Sequence, residues 1–205
     1  MSESRNIRAA LAIAVGGPLL MYLLVAFVGS LFERMAIFYA IAVPVALLVV
    51  RVDWRKLLRF DITLALVGAL LGVALYALGW LGLALIRTLA PEFAGSAATF
   101  YGWLDDGAGL AMWLMILWVI IGEEIVWRMA VTLPLAARWR WGGVALGAVG
   151  FAAVHVAWGP PLLLLAALVF GAGWGVIAFK TRNFWCVLLS HLVWDALVMH
   201  FARYA

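Results

Sequence analysis

Most of this chain consists of predominantly apolar stretches that run well past the roughly 20 residues that a helix needs to span a bilayer. With 68% hydrophobic and only 12% charged residues among 205, the chain has more apolar surface than one soluble core can bury. Segments that alternate polar and apolar residues, as membrane β-barrels require, are not found in it. We therefore expect an all-α, polytopic transmembrane helical bundle of about seven spans. It should form one transmembrane domain over residues 1–205, in contact with membrane lipid.

The predicted spans are separated by short connections that contain most of the charged residues. They cover about residues 9–31, 35–50, 62–86, 108–133, 142–158, 162–179 and 184–201. Pro134 is expected to end the fourth span, and several glycines in the third should allow a close helix contact. Residues 1–107 carry no functional motif, whereas residues 108–205 hold the intramembrane polar residues.

The distribution of Lys and Arg predicts the orientation of the chain. If the N-terminus is cytoplasmic, the inside segments hold Arg5, Arg8, Arg51, Arg55, Lys56, Arg59, Arg138, Arg140, Lys180 and Arg182. The outside segments hold only Arg34, Arg87 and Arg203. This asymmetry agrees with the positive-inside rule and puts the C-terminus outside. The basic residues form no long patch, so nucleic acid is not expected as a partner.

The fourth span carries three charged residues, Glu123, Glu124 and Arg128. Each charge near a bilayer centre costs about 2.5–3.5 kcal/mol on insertion scales, so their presence needs a reason. In an α-helix, Glu124 and Arg128 are four residues apart, lie on one face and form an ion pair. Glu123 is then left to face something else. The alternative is a structural ion cluster that lines a transport path.

Three polar residues on later spans fall at a similar membrane depth. At ~1.5 Å per helical residue, Glu123, His155, His191 and Asp195 all lie between the membrane centre and its cytoplasmic half. His191 and Asp195 are four residues apart and share a helix face. Each residue alone fits a structural hydrogen bond, but their convergence from three helices indicates a site. His200 faces roughly the opposite side of its helix and is not included.

Taken in order, three motifs resemble the CPBP intramembrane protease family. They are Glu123-Glu124-x-x-x-Arg128, Phe151-x-x-x-His155 and His191-x-x-x-Asp195. This family, also described as Abi or CAAX-protease-like, includes CAAX prenyl endopeptidases and bacterial bacteriocin-processing or immunity proteins. The resemblance covers about residues 122–195, and Asp195 stands where the family often has Asn. An HExxH motif, which a soluble zinc protease would carry, is not present.

The resemblance implies peptide-bond hydrolysis within the membrane. Glu123 would act as the general base on a water molecule, and His155 would help to hold that water. His191 and Asp195 would polarise the scissile carbonyl or stabilise the oxyanion. The residues expected to support this catalytic set are Glu124, Arg128 and Phe151.

The sequence is compatible with both a metal-free and a metal-dependent mechanism. Enzymes of this family have been described both as metal-free and as metal-dependent. In the second case Glu123, His155 and His191 would bind one divalent metal such as zinc, with water at the open position. The sequence slightly favours a metal-free mechanism, because only two histidines converge and no closely spaced ligand pair exists.

The family also implies the substrate and the compartment. We expect an integral protein of a bacterial inner membrane that cleaves a membrane-associated peptide or protein. That substrate would be a lipidated tail, another membrane peptide or a C-terminal sorting tail. The alternative functions are a small ion- or proton-coupled transporter and a non-catalytic membrane scaffold. A transporter should have a continuous path to both sides of the membrane, whereas a protease needs one cavity that reaches the cytoplasm or the bilayer.

Overall fold

The computed structural model describes residues 2–106 and 109–204, and this part of the chain is all-α, without strands. The helices are α1 (Ser2–Phe27), α2 (Leu31–Val49), α3 (Trp54–Leu57), α4 (Ile62–Leu89), α5 (Pro91–Ala94), α6 (Ser96–Asp106), α7 (Leu110–Trp139), α8 (Trp141–His155), α9 (Pro161–Thr181) and α10 (Phe184–Phe201). The predicted division between residues 107 and 108 lies outside the described residues.

Six helices in this part of the chain are long and apolar enough to cross a membrane: α1, α2, α4, α7, α9 and α10. The expected polytopic helical bundle is therefore confirmed. The predicted fifth span, α8, is apolar but only 15 residues long. At 1.5 Å per residue it extends about 22 Å, which is less than the ~30 Å thickness of the hydrocarbon core.

The central element of the bundle is α7, which contacts α1, α2, α8, α9 and α10. Its second half is almost completely buried, from Val126 to Ala136. A helix that carries charged side chains through a membrane must turn them towards the bundle interior. The intramembrane charges thus explain why α7, and not one of the more apolar helices, lies in the centre.

The middle of α7 is π-helical from Glu124 to Thr132. The backbone N–H of Leu133 donates to the carbonyl of Arg128, five residues earlier. The prediction that Pro134 ends this span was wrong, because the helix continues to Trp139. Pro134 falls in the first turn of the α-helical segment that follows the π-helix, a position where proline is tolerated.

The helix α8 ends at His155, three residues earlier than expected. The backbone N–H groups of Trp158 and Gly159 both donate to the carbonyl of His155, at 3.2 and 2.6 Å. A Cβ at position 159 would lie 2.7 Å from that carbonyl oxygen, so this tight turn requires glycine. The early end places His155 in the last turn of α8, where it is buried.

Close packing of α4 against α10 depends on two of the glycines predicted to permit it. A Cβ on Gly68 would lie 2.2 Å from the carbonyl oxygen of Cys186, and one on Gly72 would lie 2.6 Å from that of Ser190. Gly82 has no atom within 4 Å of such a Cβ and does not take part. The contact fixes the part of α10 that immediately precedes His191.

The two ends of the bundle differ in charge. At one end, Asn6 exchanges two hydrogen bonds with the backbone of Arg51, at 2.8 and 2.9 Å, and Asn183 donates to the carbonyl of Arg59. We call this the cationic end, because the ten predicted inside Lys and Arg residues lie in its segments. At the opposite, distal end, Arg203 forms an ion pair with Asp105 on α6.

Candidate active site

All four predicted catalytic side chains line one cavity of about 370 Å³. Glu123 comes from α7, His155 from the end of α8, and His191 and Asp195 from α10. Each is at most 6% exposed. The remaining lining residues are mostly aliphatic and aromatic, so the four polar groups form a small polar cluster in an apolar cavity.

The imidazole of His191 lies at the centre of this cluster. Its Nδ1 lies 2.7 Å from Oε1 of Glu124, and because a carboxylate only accepts, the nitrogen is the donor. Its Nε2 lies 3.7 Å from both Oε2 of Glu123 and Oδ2 of Asp195. Glu124 therefore fixes the ring orientation, and Nε2 is directed towards the other two carboxyl groups.

Arg128 approaches Glu124 on the side away from His191. Its Nε lies 3.6 Å from Oε2 of Glu124, an ion-pair distance that is longer than a normal hydrogen bond. The guanidinium also lies 4.1 Å from the centre of the Phe151 ring, which gives it a cation–π partner. Glu124 thus contacts both Arg128 and His191. The sequence motif predicted the first of these contacts but not the second.

The imidazole of His155 is held by its own helix. Its Nδ1 lies 2.9 Å from the carbonyl oxygen of Phe151, so the Nδ1–H donates and Nε2 is left as the hydrogen-bond acceptor. The Phe151 ring packs edge-on against the imidazole, with 4.8 Å between ring centroids. Phe151 therefore contacts both Arg128 and His155 and lines the cavity.

Two buried aromatic residues, one at the site and one that binds Trp127 of α7, were not singled out from the sequence. Trp174 of α9 stacks on His191, with ring centroids 3.6 Å apart and an interplanar angle of 24°. Tyr39 of α2 is fully buried and accepts a hydrogen bond of 3.0 Å from Nε1 of Trp127. Nothing in one sequence distinguishes these from the many other aromatic residues.

The cavity extends from the polar cluster towards the distal end of the bundle. Its lining includes Leu31 at the start of α2, Ile86 near the end of α4 and Tyr101 of α6. None of the described residues that line it comes from the cationic end. The expectation for a protease was one cavity that reaches either the cytoplasm or the bilayer, and which side of the membrane the distal end faces stays a prediction. His200 is exposed and packs on Trp113, away from the cavity.

The described residues do not form a ready metal site. Across residues 2–106 and 109–204, no three His, Cys, Asp or Glu side chains are arranged to hold a metal ion. Glu123, His155 and His191 line the same cavity but do not converge as three ligands. The geometry of these side chains therefore supports no reaction step that depends on a metal.

The chain matches a family of known proteins. Residues 106–197 match the family model described as type II CAAX prenyl endopeptidase Rce1-like. The match covers somewhat less than half of the chain and includes all three motifs, and it confirms the family resemblance. No curated protein and no solved structure matches the chain.

Proposed function

From the type II CAAX prenyl endopeptidase Rce1-like region formed by residues 106–197, we propose that this membrane protein is an intramembrane endopeptidase. It hydrolyses a peptide bond of a membrane-associated peptide or protein. The observation that carries this proposal is the cavity in which Glu123, His155, His191 and Asp195 meet. A buried cavity with few polar groups in an apolar lining is typical of a site for a small or extended ligand.

Glu123 is the proposed general base. It lies beside the cluster but makes no hydrogen bond comparable to that of Glu124 with His191, so its carboxylate is available to take a proton from water. Because Nδ1–H of His155 is committed to the Phe151 carbonyl, its Nε2 can accept a hydrogen bond from that same water. These two residues would orient and activate the nucleophile.

His191 and Asp195 are the proposed stabilisers of the reacting carbonyl. When His191 is protonated, Nε2–H points into the gap between Glu123 and Asp195, where it would donate to the developing oxyanion. The Glu124 hydrogen bond keeps the ring in this orientation, as the carboxylate does in other carboxylate–histidine pairs. A protonated Asp195 would donate to the same oxygen or to the leaving amine.

Point variants test the assignment. Purified protein in detergent should cleave an internally quenched fluorescent peptide with an apolar C-terminal half. Glu123→Gln should abolish this cleavage and leave the thermal unfolding profile almost unchanged, and His155→Gln should reduce it strongly. The matched controls are Glu33→Gln and His200→Gln, which change exposed side chains outside the cavity. Cleavage at the normal rate by Glu123→Gln would remove the proposed base.

The metal question needs a separate measurement. Elemental analysis of the purified protein, together with the cleavage rate before and after chelation, decides whether a divalent ion such as zinc takes part. A stoichiometric metal that is lost in the His155 and His191 variants would show that these side chains rearrange to bind it.

The geometry of the cavity favours hydrolysis over transport. A transporter needs access to its central site from both sides of the membrane, whereas none of the described residues that line the cavity lies at the cationic end of the bundle. Uptake of ions or protons by proteoliposomes that is abolished by Glu123→Gln, without any peptide cleavage, would favour the transporter instead.

A further inference from the structure

Several spans line the cavity with the part of the helix that lies towards the distal end. It takes the first turns of α2 (Leu31), the last turns of α4 (Ile86), the first half of α7 (Ile116) and the first half of α9 (Leu162). These antiparallel segments all lie in the distal half of the bundle. Of the three charged residues on α7, Glu123 lines the cavity, and it lies near the middle of that 30-residue span. The site is therefore reached from the distal end.

The distal end is the less cationic end. Of the fourteen Lys and Arg residues, ten belong to segments at the cationic end and Arg128 is buried within the bundle. Hydrogen bonds between segments distant in sequence, such as Asn6 with Arg51 and Asn183 with Arg59, tie the cationic segments together on one side. Cytoplasmic loops carry the excess of Lys and Arg in membrane proteins. The distal end thus corresponds to the extracytoplasmic side.

We propose that the substrate reaches Glu123 from the extracytoplasmic side of the membrane. This inference rests on the proposed function. The substrate class is then an apolar peptide segment presented in the outer half of the bilayer, such as part of a secreted or translocated peptide. A lipidated tail of a cytoplasmic protein would approach the opposite side and does not fit this geometry.

The cavity also opens towards lipid between α4 and α9. Leu78 on α4 and Leu165 and Val169 on α9 line it, yet these side chains are 53%, 44% and 47% exposed. An opening bordered by exposed aliphatic side chains suits a segment that arrives through the bilayer. A strongly polar peptide arriving through water would have to be desolvated along this lining.

A single cysteine at the cavity mouth tests the side of access. In a Cys186→Ala background, Leu162→Cys places a thiol among the lining residues, and Lys56→Cys places one on exposed α3 at the cationic end. A membrane-impermeant thiol reagent is added to right-side-out and to inverted membrane vesicles. Leu162→Cys should react at least tenfold faster in right-side-out vesicles, and Lys56→Cys should show the opposite preference.

Cleavage of the quenched apolar peptide is then measured in the labelled membranes. We expect labelling of Leu162→Cys from outside to stop cleavage, relative to the same variant unlabelled. Faster labelling in inverted vesicles would overturn the inference, and so would undiminished cleavage after complete labelling from outside. The labelling pattern does not depend on catalysis and should be the same in a Glu123→Gln background. An absence of cleavage in every sample would refute the proposed function, while the labelling would still decide on which side the cavity opens.

Discussion

Two neighbouring carboxylates have different surroundings in this protein. Glu124 is fully buried and holds both Arg128 and His191, whereas Glu123 faces the cavity and lies 3.7 Å from Nε2 of His191. The first arrangement is that of a structural support, and the second is that of a group available to a substrate. The difference at the level of single atoms leads to a difference in stability that can be measured.

Glu124→Gln should destabilise the protein far more than Glu123→Gln. It removes the only carboxylate near the Arg128 guanidinium among the described ion pairs, and leaving a buried charge unpaired costs about 3–5 kcal/mol. Thermal unfolding in detergent, followed by tryptophan fluorescence or scanning calorimetry, measures the effect. Glu123→Gln should change the midpoint only slightly.

The double variant Glu124→Gln with Arg128→Met provides the control for this explanation. Replacing both members of a buried ion pair by groups of similar size is often close to neutral, so the double variant should recover much of the lost stability. It should stay much less active than the unmodified protein, since an amide oxygen is a weaker acceptor for Nδ1–H of His191 than the carboxylate. Equal destabilisation by Glu123→Gln and Glu124→Gln would contradict the division of roles.

Trp174 gives a second prediction at the scale of one residue. Because its ring stacks on His191, Trp174→Leu should allow the imidazole to shift, and a displacement of about 1 Å can reduce kcat about 10²-fold. Trp174→Phe keeps an aromatic surface and should retain most of the activity. The peptide assay measures kcat and KM, and thermal unfolding checks that both variants fold. If Leu and Phe behave alike, stacking is not the relevant interaction.

At the scale of the helices, the sequence was most informative about which segments are helical spans, because amino-acid composition alone decides this. Long apolar segments predicted the six helices that can cross a membrane, because a spanning helix must be about 20 apolar residues long, but they also predicted α8, which is only 15 residues long. The boundaries were less predictable where hydrogen bonding departs from the α-helical pattern. The π-helix before Pro134 and the two hydrogen bonds accepted by the His155 carbonyl both depend on tertiary packing. Neither produces a periodic pattern in the sequence.

The contact between α4 and α10 leads to a prediction about helix position. Gly72→Ala would place a Cβ 2.6 Å from the Ser190 carbonyl oxygen and 2.8 Å from Cβ of Val193, and such overpacking costs about 1–3 kcal/mol. The helices must separate, and α10 carries His191 one residue after Ser190. We therefore expect a lower unfolding temperature together with reduced cleavage.

Gly82→Ala, in the same helix, is the matched control for stability. Its new methyl group has no neighbour within 4 Å, and replacing glycine by alanine inside a helix is favourable by about 0.5–1 kcal/mol. It should unfold at the same temperature as the unmodified protein or slightly higher. An equal loss of stability in both variants would mean that the glycine contact with α10 is not what holds the two helices together.

At the scale of the molecule, the sequence predicted which polar residues meet but not how they are held. His155, His191 and Asp195 could be assigned to one depth, because helical rise converts residue number into distance. The partner of each nitrogen atom could not be predicted, since it depends on the rotation of three helices about their axes. The same holds for Trp174, which stacks on His191 from a helix without a motif, and for the hydrogen bond between Tyr39 and Trp127.

The distal end is closed on one side by the C-terminal segment. Arg203 binds Asp105 of α6 through two hydrogen bonds, of 2.8 and 3.2 Å, and the backbone N–H of Tyr204 donates to the hydroxyl of Tyr101. Tyr101 and Tyr204 both line the cavity. The chain end and α6 thus form one border of the cavity mouth, at the point where a substrate would pass.

The contact between α6 and the C-terminal segment should weaken at low pH. The hydrogen bonds from Arg203 and its charge hold the pKa of Asp105 below its ordinary value. A carboxyl whose pKa is lowered in the folded protein contributes stability above its ordinary pKa, and loses that contribution as the pH falls through the lowered value. We therefore expect the contact between α6 and the C-terminal segment to be unchanged from pH 7 to 5, and to weaken only below about pH 4.

The measurement is hydrogen exchange of the α6 amides as a function of pH, in the unmodified protein and in the Asp105→Asn variant. At pH 7 the variant should exchange the α6 amides faster than the unmodified protein, while global unfolding changes little because both side chains of the ion pair are exposed. The difference should disappear at low pH, where Asp105 is protonated in both folded and unfolded protein. Glu92→Gln, which removes another exposed carboxylate at the distal end, should leave α6 exchange unchanged. Equal exchange of the two proteins at pH 7 would mean that packing by the Tyr101 and Tyr204 side chains, and not the ion pair, holds the mouth of the cavity.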